Sequence, residues 1–274
     1  KKPEESRLNS YYLPTRIIAA CSALKELGQE TATLGHSALL VCGGKSARNA
    51  GHVDRAIDIL ERSGVQITLY EGISTEPDLE MVERGLDLAT ANHVEVVIGL
   101  GGGSPMDTAK AIAGLAGLDG SVRDYFQGKA ITANGLPFIA IPTTSGTGAE
   151  VTKNAVLTDT TSGLKQSIRD DRWYARTAIV DPELTLSMPS RVTASSGSDA
   201  LCQAIEAYTS IGASPVTDAL ALRAVQLIGN ALESAYQDGS NLSAREDMAY
   251  GSLMAGMAMG SARLGGVHGM AHPL

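Results

Sequence analysis

A glycine-rich turn between a buried strand and a helix constrains the fold of this chain more than any other stretch. Residues 94–98 are apolar like a buried strand, residues 101–110 read GGGSPMDTAK, and residues 107–118 have the pattern of a helix. Glycines let backbone N–H groups approach a phosphate, and a helix N-terminus adds partial positive charge. An ordinary tight turn is the simpler alternative. The pattern favours phosphate binding by Gly101, Gly102, Gly103 and Ser104.

Strands and helices alternate through the first half of the chain. The patterns predict strands at 38–42, 65–70 and 94–98, each followed by a helix. Successive strand–helix units imply parallel strands with right-handed crossovers, and therefore an open, doubly wound, Rossmann-like sheet. Ligands of such sheets bind at the carboxyl ends of the strands. Gly43, Glu71 and Gly101 all fall there.

A second glycine-containing loop follows another predicted strand. Residues 137–141 are apolar, and residues 142–150 read PTTSGTGAE. Because this loop also follows a strand, we expect it at the same edge of the sheet as the first turn. Thr143, Thr144 and Thr147 could there hold a pyrophosphate or a nicotinamide ribose, although a plain Ser/Thr turn is equally compatible with this loop alone. Two such loops at one edge predict a dinucleotide site.

The pattern changes to helices alone in the last third of the chain. We predict a mostly parallel α/β nucleotide-binding domain over residues 1–184 and an all-α domain over residues 185–274, with helices at 198–211, 215–238 and 243–259. The chain has 274 residues, 43% of them hydrophobic, which is enough for one sizeable core or two modest ones. With 4% aromatic residues and 30 glycines, it suits an Ala/Val/Leu-packed α/β protein better than a β-sandwich.

Charge and cysteine usage exclude several classes of protein. A net charge of −8 argues against a general nucleic-acid or membrane surface. No signal peptide is visible, and no apolar run reaches the ~20 residues that span a bilayer. Cys21, Cys42 and Cys202 lack C-x-x-C spacing, which is typical of reduced thiols and not of a disulfide or zinc framework. We expect a cytoplasmic protein, with a homo-oligomer as the default assembly.

Five segments resemble signatures of the iron-containing (group III) alcohol dehydrogenases, and they occur in the order in which that family has them. The segments are GGGSPMDTAK at 101–110, PTTSGTGAEVT at 142–152, IVDPEL at 179–184, SDALCQAIEAY at 198–208 and GVHGMAHPL at 266–274. The resemblance implies a nucleotide-binding domain and a helical domain with a divalent metal, Fe2+ or Zn2+, between them. It further implies NAD or NADP as the hydride carrier and a small alcohol or aldehyde as the substrate.

The resemblance also implies a set of metal ligands, from which this chain departs. The family uses one Asp and three His, which correspond here to Asp199, Gln203, His268 and a residue beyond Leu274. A helix places Asp199 and Gln203, four residues apart, on one face. An amide oxygen is a weaker ligand than an imidazole for Fe2+ or Zn2+, so Gln203 puts metal occupancy in question. The fourth ligand position predicts that the chain is a fragment of a longer protein.

Two further residues receive roles from the resemblance. His272 lies four residues after His268, on the same predicted helical face, and a structural pair of histidines is the alternative interpretation. In the family this position lies beside the nicotinamide and the substrate, which predicts that His272 acts in proton transfer as a catalytic residue. Lys165 resembles a family lysine that contacts the cofactor ribose.

The end of the first predicted strand bears on the choice between NAD and NADP. NAD-specific sites place an acid at the ribose 2′-OH. This chain has Gly43, Gly44 and Lys45 at that point, followed by Arg48. A 2′-phosphate would fit the opening with Lys45 or Arg48 as its partner, although both could simply be surface cations. The interpretation favours NADP over NAD.

The predicted function is an NAD(P)-dependent alcohol dehydrogenase or aldehyde reductase assisted by a divalent metal. Two alternatives stay open: a metal-independent reductase of the same superfamily, and a nucleotide-binding relative without catalysis. The dehydroquinate-synthase-like group shares the two-domain plan, but the five segments fit the alcohol dehydrogenases better.

Overall fold

The computed structural model describes residues 10–73 and 76–271. A parallel six-stranded sheet has the order β1-β8-β5-β4-β2-β3, and β6 and β7 form a separate antiparallel hairpin. The strands are β1 (Arg16–Ala19), β2 (Ser37–Gly43), β3 (Gln66–Ile73), β4 (Val96–Gly101), β5 (Phe138–Pro142), β6 (Asn154–Asp159), β7 (Leu164–Arg169) and β8 (Thr177–Val180). The predicted parallel α/β class is confirmed.

Helices flank the sheet and then form the rest of the described chain. Within the α/β part they are α1 (Leu27–Ala32), α2 (Lys45–Asn49), α3 (His52–Arg62), α4 (Leu79–Ala91), α5 (Gly103–Leu115) and α6 (Val122–Phe126). The helical part comprises α7 (Ser190–Thr209), α8 (Pro215–Gln237), α9 (Leu242–Ala262) and α10 (Gly266–Ala271). Among the residues that the structure describes, no helix is both long enough and apolar enough to span a lipid bilayer.

The central strands β8, β5, β4 and β2 are buried on both faces, which explains why they are almost entirely apolar. Val97 of β4 packs into one core with Ile112 of α5. Ile98, the next residue, points to the opposite core, which contains Leu27 of α1 and Leu60 of α3. Neighbouring side chains of a strand point to opposite faces, so a sheet covered on both sides needs apolar residues at every position.

Helices α7, α8 and α9 pack closely through small residues. Ala200, Ala204 and Ala224 are fully buried in their shared core. A Cβ added to Gly251 of α9 would lie 2.5 Å from Ile228 of α8, so the helices approach too closely there for a larger side chain. This bundle of small residues places α7 and α9 against the carboxyl edge of the sheet.

Several predicted boundaries differ from the structure. Helix α5 begins at Gly103 and not at residue 107, and the segment before β2 forms a short 3-10 turn (Ala23–Glu26) followed by α1. Strand β1 and the β6–β7 hairpin were not predicted, because a four-residue edge strand and a half-exposed hairpin lack a long apolar run. The domain boundary at residue 184 stays a prediction; β8 ends at Val180 and α7 begins at Ser190.

Candidate active site

The two glycine-containing loops meet at the carboxyl edge of the sheet. Strands β4 and β5 are neighbours, and the Thr143 N–H donates to the Gly101 carbonyl oxygen at 2.9 Å. A Cβ added to Gly103 would lie 3.0 Å from the Thr147 methyl group. A Cβ added to Gly102 would lie 3.4 Å from the Thr144 methyl group. The structure therefore brings Gly101, Gly102, Gly103, Thr143, Thr144 and Thr147 together at one edge of the sheet.

The first turn leaves the N-terminus of α5 facing this surface. The residue that caps α5 is Gly102, which has no side chain to accept hydrogen bonds from the first helical turn. Gly101 has a φ of +151°, which L side chains rarely adopt, and a Cβ there would lie 2.4 Å from Pro105. A Cβ added to Gly43 would lie 3.6 Å from the Cγ of the same proline. An uncapped helix N-terminus after a glycine turn fits a phosphate group.

A buried lysine of α5 connects this helix to the second loop. Lys110 of α5 is fully buried, and its Nζ donates to the carbonyl oxygens of Ala149 at 2.7 Å and Asn154 at 2.9 Å. The Thr152 hydroxyl lies 3.4 Å from the same nitrogen. Three acceptors match the three N–H groups of an ammonium, so Lys110 fixes the distance between α5 and the second loop.

The acidic partner of Lys110 is Asp107, one turn earlier on α5. Its Oδ2 accepts the Val156 N–H at 3.0 Å, and its Oδ1 lies 3.9 Å from the Lys110 Nζ. Burial raises the pKa of Asp107 to about 6, against the attraction of Lys110. Burial likewise lowers the pKa of Lys110 to about 8 and raises that of Glu150. The sequence analysis missed this pair, although its three-residue spacing within GGGSPMDTAK was a usable signal.

The two candidate cations at the end of β2 differ in their surroundings. Lys45 is exposed at the first residue of α2. Arg48 is held between two acids, with its Nε 2.9 Å from Glu71 and its Nη1 2.5 Å from Asp54. Of the two, Lys45 is therefore the cation better placed to receive an additional anion.

Lys165 lies on β7 of the hairpin. Its Nζ forms an ion pair with Glu76, at 2.9 Å from the carboxylate. The predicted contact of Lys165 with a cofactor ribose stays a prediction.

Helix α7 lies directly against the second loop. A Cβ added to Gly146 would lie 2.6 Å from the Ser196 Cβ on α7. One added to Gly148, whose φ is +60°, would lie 2.6 Å from Gly256 on α9. Helix α7, which carries the candidate metal ligands Asp199 and Gln203, therefore borders the second loop together with α9.

The three predicted metal ligands that the structure describes lie together. Gln203 Nε2 donates to Asp199 Oδ2 at 2.9 Å, and Asp199 Oδ1 lies 3.1 Å from His268 Nε2. Partial burial raises the pKa of Asp199, although its hydrogen bonds to His268 and Gln203 oppose that shift. The predicted catalytic residue His272 falls outside the described residues.

The side chain of Gln203 bears on whether an ion fits here. Its Oε1 is buried and has no hydrogen-bond partner among the described residues. A buried oxygen without a hydrogen-bond donor costs free energy. A cation that binds to this oxygen would remove that cost. The donor set of carboxylate, amide oxygen and imidazole therefore fits a divalent ion, with Gln203 as its weakest member.

Glu206 is a part of the site that the sequence analysis missed. Its Oε2 lies 2.6 Å from His268 Nδ1, and its Oε1 accepts the Val267 N–H at 2.7 Å. Burial opposes ionisation of Glu206, but these hydrogen bonds outweigh it and lower the pKa of the carboxyl. The available signal was its spacing of seven residues from Asp199, which puts both on one helical face. Both ring nitrogens of His268 thus face a carboxylate.

Fold and site together define a two-domain protein in which glycine-containing turns at the edge of a parallel sheet border a helix that carries Asp199 and Gln203. A profile described as iron-containing alcohol dehydrogenase matches residues 14–182, and one described as the C-terminal part of the Fe-containing alcohol dehydrogenase family matches residues 193–274. The chain belongs to the iron-containing alcohol dehydrogenase family.

Individual relatives agree with this assignment. The chain is 44% identical, over 92% of its length, to long-chain-alcohol dehydrogenase 1 of Geobacillus thermodenitrificans and covers 64% of that protein. It is 38% identical, over 98% of its length, to 1,3-propanediol dehydrogenase of Citrobacter freundii and covers 70% of it. The crystal structure of sulfoacetaldehyde reductase from Bifidobacterium kashiwanohense in complex with NAD+ matches with a TM-score of 0.94 and 37% identity, over 98% of this chain and 71% of that one.

Proposed function

We propose that this chain binds a nicotinamide dinucleotide at the two loops and transfers a hydride between it and a small alcohol or aldehyde. The close approach of Gly103 to Thr147 carries the proposal, because it brings the two loops together at the N-terminus of α5, where a phosphate is favoured. Relatives named as alcohol dehydrogenases and an aldehyde reductase solved with NAD+ support the same activity.

The cofactor would extend along the carboxyl edge of the sheet. Its diphosphate would lie on residues 101–104, with the threonines of the second loop beside the nicotinamide half and Lys165 at a ribose. Its adenosine half would reach Gly43 and Lys45. Since Lys45 is exposed and Arg48 is already paired with two acids, Lys45 is the proposed partner of a 2′-phosphate, which favours NADP over NAD.

Asp199, Gln203 and His268 would hold a divalent metal, Fe2+ or Zn2+. Such a metal would supply a Lewis acid for the substrate C–O group, and a bound nicotinamide would supply the hydride chemistry. Glu206 orients His268 by accepting from its Nδ1, which leaves Nε2 toward Asp199. In alcohol oxidation the substrate loses a hydride and a proton, and His272 is the proposed route for the proton.

The test combines cofactor binding with turnover. Fluorescence titration with NADH and NADPH measures binding, and absorbance of the reduced nicotinamide follows oxidation of short alcohols, including 1,3-propanediol. Activity should disappear on chelation and return with Fe2+ or Zn2+. Activity insensitive to chelators would instead identify a metal-independent reductase. Cofactor binding without turnover on any alcohol or aldehyde would identify a non-catalytic nucleotide-binding protein.

A further inference from the structure

A small cavity of about 10 Å3 lies beside the second glycine-containing loop, between the carboxyl ends of β5 and β8 and helix α9. This volume has room for one particle of the size of a water molecule. Its polar lining consists of Thr144, Ser145, Glu150, Asp181, Thr185 and Ser252. These side chains offer oxygen atoms and neither nitrogen nor sulfur, so the cavity suits a hard cation or a water molecule.

One hydroxyl group of the lining lacks a partner. Ser145 is only 4% exposed, and its Oγ is buried without a hydrogen-bond partner among the residues that the structure describes. Leaving such a group unsatisfied costs free energy. A particle bound in the cavity would remove this cost, because Ser145 is part of the cavity wall.

The charges around the cavity do not balance. Lys110 interacts electrostatically with Asp107 and with Glu150, so one ammonium faces two carboxylates. Glu150 is buried, and burial raises the pKa of its carboxyl although its own backbone N–H and Lys110 oppose that shift. The ammonium itself donates to the carbonyl oxygens of Ala149 and Asn154. Because a buried charge needs a partner, Glu150 must either hold a proton or lie beside a second cation.

The other carboxylate of the cavity has its partners within the fold. Asp181 accepts hydrogen bonds from the backbone N–H groups of Ser22, Leu24 and Glu183, each at 3.1 Å. Glu150 therefore carries the charge that its surroundings leave uncompensated. A divalent ion would bury an excess positive charge here, and Mg2+ would need room for the several water molecules that it retains. A monovalent cation matches both the charge and the volume.

We propose that Glu150, Ser145 and Ser252 bind a monovalent cation, K+ or Na+, in this cavity. The site shares no residue with the proposed divalent-metal ligands. Thr144 belongs both to the cavity and to the glycine turns, since a Cβ added to Gly102 would lie 3.4 Å from its methyl group. The cation would therefore hold the second loop against α9 and increase the affinity for NADH. Only this last effect rests on the proposed function.

The experiment measures urea unfolding of the whole chain in the chlorides of K+, Na+ and tetramethylammonium, at one ionic strength and with a chelator of divalent ions present. Tetramethylammonium is larger than the cavity and is the salt control. We expect K+ or Na+, but not tetramethylammonium, to raise the urea midpoint, because a ligand that binds only the folded state stabilises it.

Three variants assign this effect to the cavity. Glu150→Gln keeps the shape of the side chain and removes its charge, so its urea midpoint should no longer depend on the cation. The matched control Glu61→Gln, on the exposed face of α3, should keep the full dependence. Ser145→Ala should raise the half-saturating cation concentration about two- to tenfold, comparable with the loss of one neutral hydrogen bond.

Equal urea midpoints in the three salts would overturn the proposal, since the cavity would then hold only water beside a protonated Glu150. A cation dependence that survives in Glu150→Gln, or that disappears in Glu61→Gln as well, would also contradict it. NADH titration in the same salts separates this proposal from the proposed function. Stabilisation by K+ or Na+ without NADH binding would reject the cofactor site and support the cation site, whereas NADH binding with equal midpoints would reject the cation site alone.

Discussion

The ammonium of Lys110 donates a hydrogen bond of 2.7 Å to the carbonyl oxygen of Ala149. Lys110 belongs to the helix that begins at the first glycine turn, and Ala149 ends the second glycine-containing loop. The bond is fully buried and joins residues 39 positions apart. It explains how the two loops hold a constant spacing, which any ligand that contacts both of them requires.

Replacing Lys110 by Met should lower the free energy of unfolding and weaken cofactor binding together. The change leaves the Ala149 and Asn154 carbonyl oxygens and the Asp107 carboxylate buried without their cation. Breaking a buried pair in this way costs about 3–5 kcal/mol. Urea unfolding and NADH titration measure the two effects. Exposed Lys25→Met is the control and should change stability by no more than about 0.5 kcal/mol; equal effects of the two variants would contradict the assigned role.

The turn before α5 should not tolerate a side chain at Gly101. Gly101→Ala forces an L residue to a φ of +151° and places its Cβ 2.4 Å from Pro105. Backbone strain of this kind costs about 1–3 kcal/mol, and we expect NADH affinity to fall with it. Gly229→Ala, in an exposed turn of α8 with nothing near the added Cβ, should instead raise stability by up to about 1 kcal/mol. Unchanged NADH binding in Gly101→Ala would count against the phosphate site.

The sequence allowed prediction of those parts of the site that follow directly from strands. Uninterrupted apolar runs located β2, β4 and β5, and glycine turns after two of them located the candidate cofactor surface. Contacts between distant segments were beyond prediction. Glu206 and His268 are 62 residues apart and meet only because α10 folds back on α7. The β6–β7 hairpin, which supplies two partners to Asp107 and Lys110, has too little apolar periodicity to recognise.

Asp107 should give stability a characteristic dependence on pH. Burial raises its pKa from 3.8 to about 6, so between these values the folded state holds a proton that the unfolded state has lost. The contribution of Asp107 to stability must therefore fall as the pH rises through this window. Urea unfolding of the native chain and of Asp107→Asn measures it, because the other titrating groups are common to both. The difference in unfolding free energy, native minus variant, should decrease from pH about 4 to about 6; a constant or rising difference would refute the assignment.

Replacing Lys45 should weaken the binding of NADPH and leave the binding of NADH unchanged. Lys45→Met removes an exposed cation from the proposed position of a 2′-phosphate, and a charge-assisted hydrogen bond contributes about 1.5–3 kcal/mol. We expect the NADPH dissociation constant to rise at least about tenfold, with that of NADH unchanged. Fluorescence titration measures both. Arg48→Met serves as the comparison, since Glu71 and Asp54 already occupy that guanidinium. An equal loss of affinity for NADH and NADPH in Lys45→Met would show that the cation acts only on the diphosphate.

Gln203→His should strengthen the binding of a divalent metal beside Asp199 and His268. The change places an imidazole beside Asp199 and turns a carboxylate, amide and imidazole set into a carboxylate and two imidazoles, which Fe2+ and Zn2+ prefer. It also removes the buried amide oxygen that has no partner among the described residues. We expect Zn2+ affinity to rise at least about tenfold. Loss of a single outer-shell partner of a metal ligand already changes affinity by that much.

Competition with a chromogenic chelator measures the Zn2+ affinity of the native chain and of Gln203→His. Gln226→His, on an exposed face of α8, adds an imidazole far from these ligands in sequence and should leave the affinity unchanged. A Gln203→His variant that binds Zn2+ no more tightly than the native chain would contradict the assignment of Gln203 as the weakest metal ligand.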